Sequence, residues 1–326
     1  MYMAGNLATY DINLDLDPSE RWKHVMTDYN ILFKEVMVEI DSIITGHGIL
    51  GSVINVSSDV IYRLMNNIMY KEELQSISKL ANIPMNKLIL CQIIYEIFSA
   101  CTSVVIRGEN NIHFRTMDWE MDFLKKITIK VRFMKNNKLL YEAVTWVGYV
   151  GIVTGMSRNH SIAVNYRQSD GSFMGSMWRI ISFHWPIGYL IRDILENNYD
   201  TVKTLRILSN SKLVSPCYIT LCPGKGDAYI ITRDHDKLVS IRNFNESTYI
   251  VQTNCDDIND ENNIMWSKER MYKVDRIMNR NDISDQSHIT VSDIFDMFSK
   301  TPIINIHTIY STVMVPEKGI LSVKLV

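Results

Sequence analysis

The chain has 326 residues, 46% of them hydrophobic and 21% charged, with 14 glycines, which excludes collagen-like, low-complexity and disordered chains and fits a globular protein with a sizeable core. Its 34 basic and 36 acidic residues leave a formal charge of -2, so no bulk field draws it to nucleic acid or an anionic membrane. The apolar stretch Leu88 to Ala100 contains polar residues and falls short of the ~20 needed to cross a bilayer. Met1 to Asp17 shows neither the basic nor the apolar region of a signal peptide.

Asp17-Pro18-Ser19-Glu20 has the acid, proline and acid of a helix start. Trp22, Val25, Met26, Tyr29, Leu32, Val36, Met37 and Ile40 then recur at helical spacing and define a face read as core. Gly46-His47-Gly48-Ile49-Leu50-Gly51 matches the dinucleotide-binding pattern in its letters, but a helix precedes it where that motif needs a strand, so it reads as an interhelical loop. Further helices are expected at Val60 to Met69, Lys71 to Ala81 and Lys87 to Ser99, the last apolar nearly all round.

At Cys101 the pattern changes to short strands: Thr102 to Arg107, Ile112 to Met117, Ile127 to Phe133, Leu139 to Thr145 and Ser161 to Tyr166. Glu109-Asn110-Asn111 and Lys135-Asn136-Asn137-Lys138 supply hairpin turns. Helix returns from Met177 to Asn198, interrupted near Pro186, and from Thr201 to Leu208. Strands follow at Cys217 to Leu221, Ala228 to Thr232, Leu238 to Ile241 and Thr248 to Gln252. Helices near Lys268 to Met278 and Ser292 to Ser299 and strands around Tyr310 to Val313 and Ile320 to Val326 complete an α+β pattern of layered sheets and helices.

Five cysteines, Cys91, Cys101, Cys217, Cys222 and Cys255, are an odd number without a short-loop framework, which argues against a disulfide scaffold. Cys217 and Cys222 lie in a strand-like run with no histidine pair at ligand spacing, so no metal site is expected. No P-loop, G-x-S-x-G or H-E-x-x-H occurs, and no cofactor is expected.

The informative region is Cys101-Thr102-Ser103, where a buried helix gives way to the first strand of a sheet, followed by Arg115-Thr116-Met117-Asp118-Trp119. A cysteine attacks as thiolate, and a nearby guanidinium favours that form. Arg115 and Met117 share a strand face, and Asp118, starting the next turn, is expected to bend back toward the same site. The ordinary alternatives are a core cysteine, a surface pair of Arg115 and Asp118, a turn residue at Asn254 and a solvated helix charge at Arg270.

Seven segments in order resemble the acid ceramidase and N-acylethanolamine acid amidase family of N-terminal-nucleophile hydrolases. They are Asn13-Leu14-Asp15-Leu16 with Arg21-Trp22, Tyr95-Glu96-Ile97-Phe98 into Cys101-Thr102-Ser103, Arg115 with Met117-Asp118-Trp119, Gly148-Tyr149-Val150-Gly151 with Thr154-Gly155, Ile231 to Asp234, Val251 to Asn254, and Thr308 to Met314. The resemblance implies a four-layer αββα fold, with self-cleavage at Ala100-Cys101 into a helical α piece, 1–100, and a catalytic β piece, 101–326, that stay associated. It implies Cys101 as nucleophile, Arg115 beside the thiol, Asp118 orienting the new ammonium, Asn254 in the oxyanion hole and Arg270 as a second active-site arginine. The freed α-amine, with a reference pKa of about 7.7 to 8.0, would take the thiol proton without a histidine.

Tyr166 stands in the catalytic set where these lipid amidases carry a glutamate and the related penicillin V acylases a tyrosine, and Thr116 stands where asparagine is usual. No cysteine precedes Cys91, so the interchain bridge of acid ceramidase cannot form in its known position; this, Leu190-Ile191-Arg192 and the Thr308 to Met314 segment lean toward the ethanolamide-hydrolase branch. The implied substrate is a fatty amide, N-acylethanolamine first and ceramide second. Trp119, Trp146, Phe173, Met174, Met177, Trp178 and Trp185 are candidate acyl-pocket linings, and the apolar helices could meet a lipid surface. Two other readings are an inactive lipid-binding homologue and an acylase of small amides of bile-salt or penicillin type. The resemblance implies a lysosomal or other acidic compartment, with Asn55, Asn159 and Asn245 in glycosylation triplets, whereas the missing leader points to the cytoplasm.

Overall fold

The computed structural model describes residues 7–46, 69–93, 100–168, 179, 184–261, 263–280 and 289–326. Among these the strands form two sheets. One has the order β1 (Thr9–Asn13), β4 (Thr128–Lys135), β5 (Lys138–Trp146), β6 (Thr154–Ser157), β7 (His160–Tyr166), β8 (Cys217–Pro223), β9 (Tyr229–Arg233) and β10 (Leu238–Asn243). The other runs β11 (Tyr249–Gln252), β2 (Ala100–Ile106), β3 (Ile112–Asp118), β12 (Thr308–Val315) and β13 (Ile320–Leu325). Neighbours pair antiparallel except β1, which adds to β4 in parallel. Strands β2, β3, β8 and β12 are buried along their whole length, because the two sheets face each other and each is covered outside by helices.

On the outer side of the larger sheet, α4 (Ile187–Glu196) packs on β5 and β6 and α5 (Thr201–Asn210) on β8 and β9. The N-terminal helices α1 (Lys23–Gly46), α2 (Lys71–Ala81) and α3 (Met85–Ile93) share that layer, with Trp22, just ahead of α1, edge-on to Phe133 of β4. On the far side α6 (Ser267–Arg280) covers β11 and β2, and α7 (Val291–Phe298) covers β12. The result is the expected αββα order, with a core between the sheets and beneath each helix layer.

The predicted helix face of α1 is buried at Trp22, Val25, Met26, Val36, Met37 and Ile40, joined by Phe33. The helix starts later than its capping pattern suggests. Asp17 Oδ1 instead accepts from the Ser19 N–H at 2.9 Å and its hydroxyl at 2.6 Å, closing a separate turn before Lys23. Strands β1 and β6 were not anticipated. In β1 only Ile12 is fully buried, so it carries no apolar pattern. β6 contains Gly155, where a Cβ would come within 2.6 Å of Leu195 Cδ1, so glycine is what lets α4 approach. The Asn136-Asn137 turn has φ of 51° and 58°, the left-handed pair of a two-residue hairpin.

None of the five cysteines is in a disulfide, and all five are buried. Among the described residues no group of histidine, cysteine and acidic side chains could hold a metal ion, and no helix is long and apolar enough to cross a membrane. The glycine pattern beyond Gly46, the helix expected at Val60 to Met69 up to residue 68, residues 94–99 of the helix after Pro84, and Asn55 lie outside the described residues. Asn159 spends its amide on Asn198 and Tyr199 carbonyls, whereas Asn245 is exposed in a turn.

Candidate active site

Cys101 is the second residue of β2, and the strand is fixed on both edges. β3 places Met117 opposite Cys101 and Arg115 opposite Ser103, while β11 places Gln252 opposite Ser103. Cross-strand partners share a face, so Cys101, Ser103, Arg115 and Met117 look toward the larger sheet. Thr102, Thr116 and Asp118 look the other way, toward α6.

On the inner face the Arg115 guanidinium meets the sulfur. Its Nη2 lies 3.2 Å from Cys101 Sγ and donates to Val164 O at 2.9 Å. Its Nη1 donates to Thr154 Oγ1 and, at 2.7 Å, to Tyr310 Oη, and those two hydroxyls are bonded to each other at 2.9 Å. Burial pushes the Tyr310 phenol up, so it remains a neutral partner for the charge.

The backbone of Cys101 is held as firmly. β11 ends at Gln252, and two residues later the Asn254 side chain continues its work, accepting the Cys101 N–H on Oδ1 at 2.8 Å. The same oxygen receives Arg270 Nη2 at 2.9 Å, and Asn254 Nδ2 donates to Tyr166 O at 2.8 Å, so its partners fix the orientation of the amide. Arg270 Nη1 donates to Cys101 O at 2.5 Å and Thr102 Oγ1 at 2.9 Å and lies 3.5 Å from Asp118 Oδ2. Asp118 also accepts from Thr308 Oγ1 at 2.7 Å and Thr116 Oγ1 at 3.3 Å. Burial drives Asp118 up and Arg270 down, each toward its neutral form, and their mutual attraction opposes this in both.

Sequence reading named Cys101, Arg115, Asp118, Asn254 and Arg270, and the structure brings them together at the start of β2. Arg115, Asp118 and Arg270 are 0% exposed and Asn254 1%, which excludes a surface pair, an open turn and a solvated helix charge. Asp118 does not bend back toward the sulfur. It is the last residue of β3, and alternation puts its carboxylate on the α6 face. Tyr166 reaches the site through its carbonyl, while its half-buried phenol is pushed up by burial. Thr116, in place of the usual asparagine, gives its hydroxyl to Asp118 and accepts the Thr102 N–H at 3.2 Å.

Sequence reading missed Asn165, whose Nδ2 donates to Cys101 O at 3.3 Å and Gln252 O at 2.9 Å while its Oδ1 accepts from Ser103 Oγ at 3.0 Å. It also missed Thr154, Thr308 and Tyr310 as site residues, although all three lie in segments that carry the resemblance. Trp119 and Trp146 are buried, with ring centroids 5.6 Å apart. Beside them Phe33, Ile40, Cys91 and Tyr149 close a cavity of about 30 Å³, room for a water and not for an acyl chain. Trp185 bridges to Leu213 at the edge of the same core. Phe173, Met174, Met177 and Trp178 lie outside the described residues.

A family model described as the beta subunit of N-acylethanolamine-hydrolyzing acid amidase matches residues 5–63, wholly before Cys101. The chain is 33% identical over 311 residues to an uncharacterized protein of Acanthamoeba polyphaga mimivirus, covering 92% of this chain and 94% of that one. It is 30% identical over 342 residues to acid ceramidase of Bos taurus, covering 97% and 85%. Among solved structures, a Caenorhabditis elegans ortholog of N-acylethanolamine-hydrolyzing acid amidase aligns with a TM-score of 0.57 and 26% identity, over 67% of this chain and 93% of that one. By this likeness along almost its whole length, and by its two-sheet core, the chain belongs to the acid ceramidase and N-acylethanolamine acid amidase family of N-terminal-nucleophile amide hydrolases.

Proposed function

We propose that the protein is a cysteine amidase that cuts its own chain between Ala100 and Cys101 and then hydrolyses a fatty amide through a thioester on Cys101. The observation that carries this reading is Cys101 itself, its sulfur 3.2 Å from the Arg115 guanidinium and its nitrogen 2.8 Å from Asn254 Oδ1. In the uncut chain the sulfur attacks the Ala100 carbonyl, the carbon–nitrogen bond breaks, and the nitrogen takes the thiol proton. Water then hydrolyses the resulting thioester, leaving a carboxylate on Ala100 and a thiol and amine on Cys101. Asp118, the cross-strand partner of Ala100, sets a carboxylate at the same end of the strand as the new ammonium.

In turnover the α-amine takes the thiol proton, the thiolate attacks the substrate carbonyl, and the ammonium returns the proton to the leaving amine. Water releases the fatty acid from the thioester. Asn254 carries both an acceptor for the amine and an amide donor for the oxyanion, where loss of one donor typically costs ~10²–10³ in rate. Tyr166 O and Arg270 set its orientation, and Arg270 holds Cys101 O.

The relatives' names support N-acylethanolamine as first substrate and ceramide as second, and "acid" in those names supports an acidic compartment. Residues 1–100 then form the helical N-terminal piece and 101–326 the catalytic one. The test is intact mass and N-terminal sequencing after incubation at acid and neutral pH, beside a Cys101→Ala control, followed by product analysis with both lipids. A new terminus at Cys101 in the wild type alone and release of fatty acid are expected. A wild-type chain that stays whole and turns over neither lipid would overturn the reading.

A further inference from the structure

Glu73 is an acid with no exposed surface, and its carboxylate receives four donors. Two come from the N-terminal piece: Trp22 Nε1 at 2.6 Å and Arg21 Nη1 at 2.9 Å. Two come from the C-terminal piece as a fork, Arg192 Nη1 at 2.8 Å and Nη2 at 2.7 Å. Arg192 is itself wholly buried, and it also donates to Val150 O at 2.9 Å and Glu196 Oε1 at 2.7 Å. Its guanidinium carbon stands 3.8 Å from the centroid of the Tyr70 ring, again in the N-terminal piece.

Cys91 is the only cysteine before residue 100 and it is free, so no disulfide joins the two pieces. Among the described residues, what crosses the boundary includes the parallel pairing of β1 with β4, a surface fork from Arg132 to Asp11 at 2.6 and 2.7 Å, apolar packing, a clamp in which Gln92 donates to Gly148 O at 2.8 Å and accepts from Val150 N–H at 2.9 Å, and the Glu73–Arg192 cluster. The Arg132–Asp11 fork is nearly half exposed and contributes little, whereas the Glu73–Arg192 pair is wholly buried with its acceptors filled and is costly to break. We infer that Glu73 and Arg192 are the lock that keeps the N-terminal piece seated on the C-terminal piece after the chain is cut. The inference rests on the self-cleavage proposed above and adds to it the surface that holds the fragments.

The experiment dilutes the self-cut protein in steps on a size-exclusion column at neutral pH, with both pieces followed by mass. Wild type is compared with Arg192→Met and Glu73→Gln, and each substitution is repeated in the uncut Cys101→Ala chain, with tryptophan fluorescence reporting the fold. Wild-type pieces are expected to co-elute at every dilution. Each variant should lose its N-terminal piece on dilution, with association weakened by about a hundredfold to about a thousandfold, the cost of removing one partner from a buried ion pair. Its uncut counterpart should keep native fluorescence. Cut pieces that hold together equally well in all three proteins overturn the lock while leaving cleavage intact. Substitutions that also unfold the uncut chain assign the cluster to folding, and overturn the lock as well. A wild-type chain seen as one mass overturns the cleavage first, and the lock with it.

Discussion

His160 and His113 predict that the fold loses stability as the solution is acidified. His160 opens β7 and is 1% exposed, and neither ring nitrogen has a hydrogen-bond partner among the described residues. Burial pulls its pKa from 6.5 down to about 4, against the opposing pull of Asp200. His113, on β3 between the sheets, shares a hydrogen bond of 2.9 Å with Ser161 Oγ and is pulled down to about 3 by burial and by the Arg115 charge. Both are neutral in the folded protein at neutral pH. The unfolded chain therefore binds these protons first, so stability falls as pH drops below about 6.5 and goes on falling to the folded pKa. Each histidine costs about 1.36 kcal/mol per pH unit, or about 2.7 kcal/mol between about pH 6.5 and pH 4.5, and the two together about 5 kcal/mol.

The perturbation is His160→Leu, which removes the titration together with two buried nitrogens that lack partners. Urea midpoints for both proteins, taken in half-unit steps from neutral pH to about pH 4.5, give the slope of stability against pH. All other titrating groups are common to the two proteins and cancel in the difference. The variant should be less acid-sensitive by up to about 1.36 kcal/mol per pH unit and should gain on wild type steadily through that window. Parallel slopes would mean that His160 is already protonated inside the fold or stays hydrated there, and the reasoning from burial would be wrong.

Other substitutions probe the site and its supports. Arg115→Lys keeps the charge but not the fork that reaches Cys101 Sγ, Val164, Thr154 and Tyr310 together, so self-cleavage followed by mass should slow by about a hundredfold. Tyr310→Phe removes one hydroxyl from Arg115 and from Thr154; it should slow cleavage by about tenfold and cost about 1 kcal/mol of stability, measured by denaturation. Thr308→Val takes the 2.7 Å donor from the buried Asp118 and should cost about 1–3 kcal/mol in the same assay. Gly148→Ala adds a Cβ 2.2 Å from Phe33 Cζ at a residue with φ of +85°, for a loss of about 1–3 kcal/mol. Phe33→Ala in that background should relieve the clash without removing the backbone strain, so the two effects should not add.

Periodicity made most elements legible, because a strand or helix in a large core writes its burial into local spacing. Lys71–Ala81 runs as predicted, and β2 and β3 begin and end within two residues of the expected bounds. β1 and β6 failed for local reasons, one having a single buried residue and the other a glycine chosen for α4 rather than for a strand. The proposed nucleophile was not legible from its surroundings, since Ala-Cys-Thr-Ser-Val-Val is what any doubly buried strand could contain. The Cys101 contacts to Asn254 and Arg270 span 153 and 169 residues, which no local pattern can report, so resemblance had to supply them. The face of Asp118 was misjudged for a different reason: β3 runs one residue further than expected, and one residue of strand reverses the direction of a side chain.

The tethers on Cys101 imply an order of events. Its sulfur is held by β3 through Arg115, its nitrogen by the segment after β11 through Asn254, and its carbonyl by α6 through Arg270. Thr102 to Ile106 are paired with β3, and Ser103 to Ile106 with β11 as well, so a break at Ala100–Cys101 frees one end of a strand that is otherwise fixed. Fraying, the usual fate of a new terminus, is opposed within one residue of the cut. An amine freed by the proposed cut would therefore stay beside the sulfur, which is the geometric condition for intramolecular proton transfer at high effective concentration. The tethers reach as far along the chain as Arg270, so the reacting geometry does not exist until both sheets and α6 have formed. On the proposed mechanism cleavage follows folding, and the N-terminal piece is already seated when its peptide bond is cut.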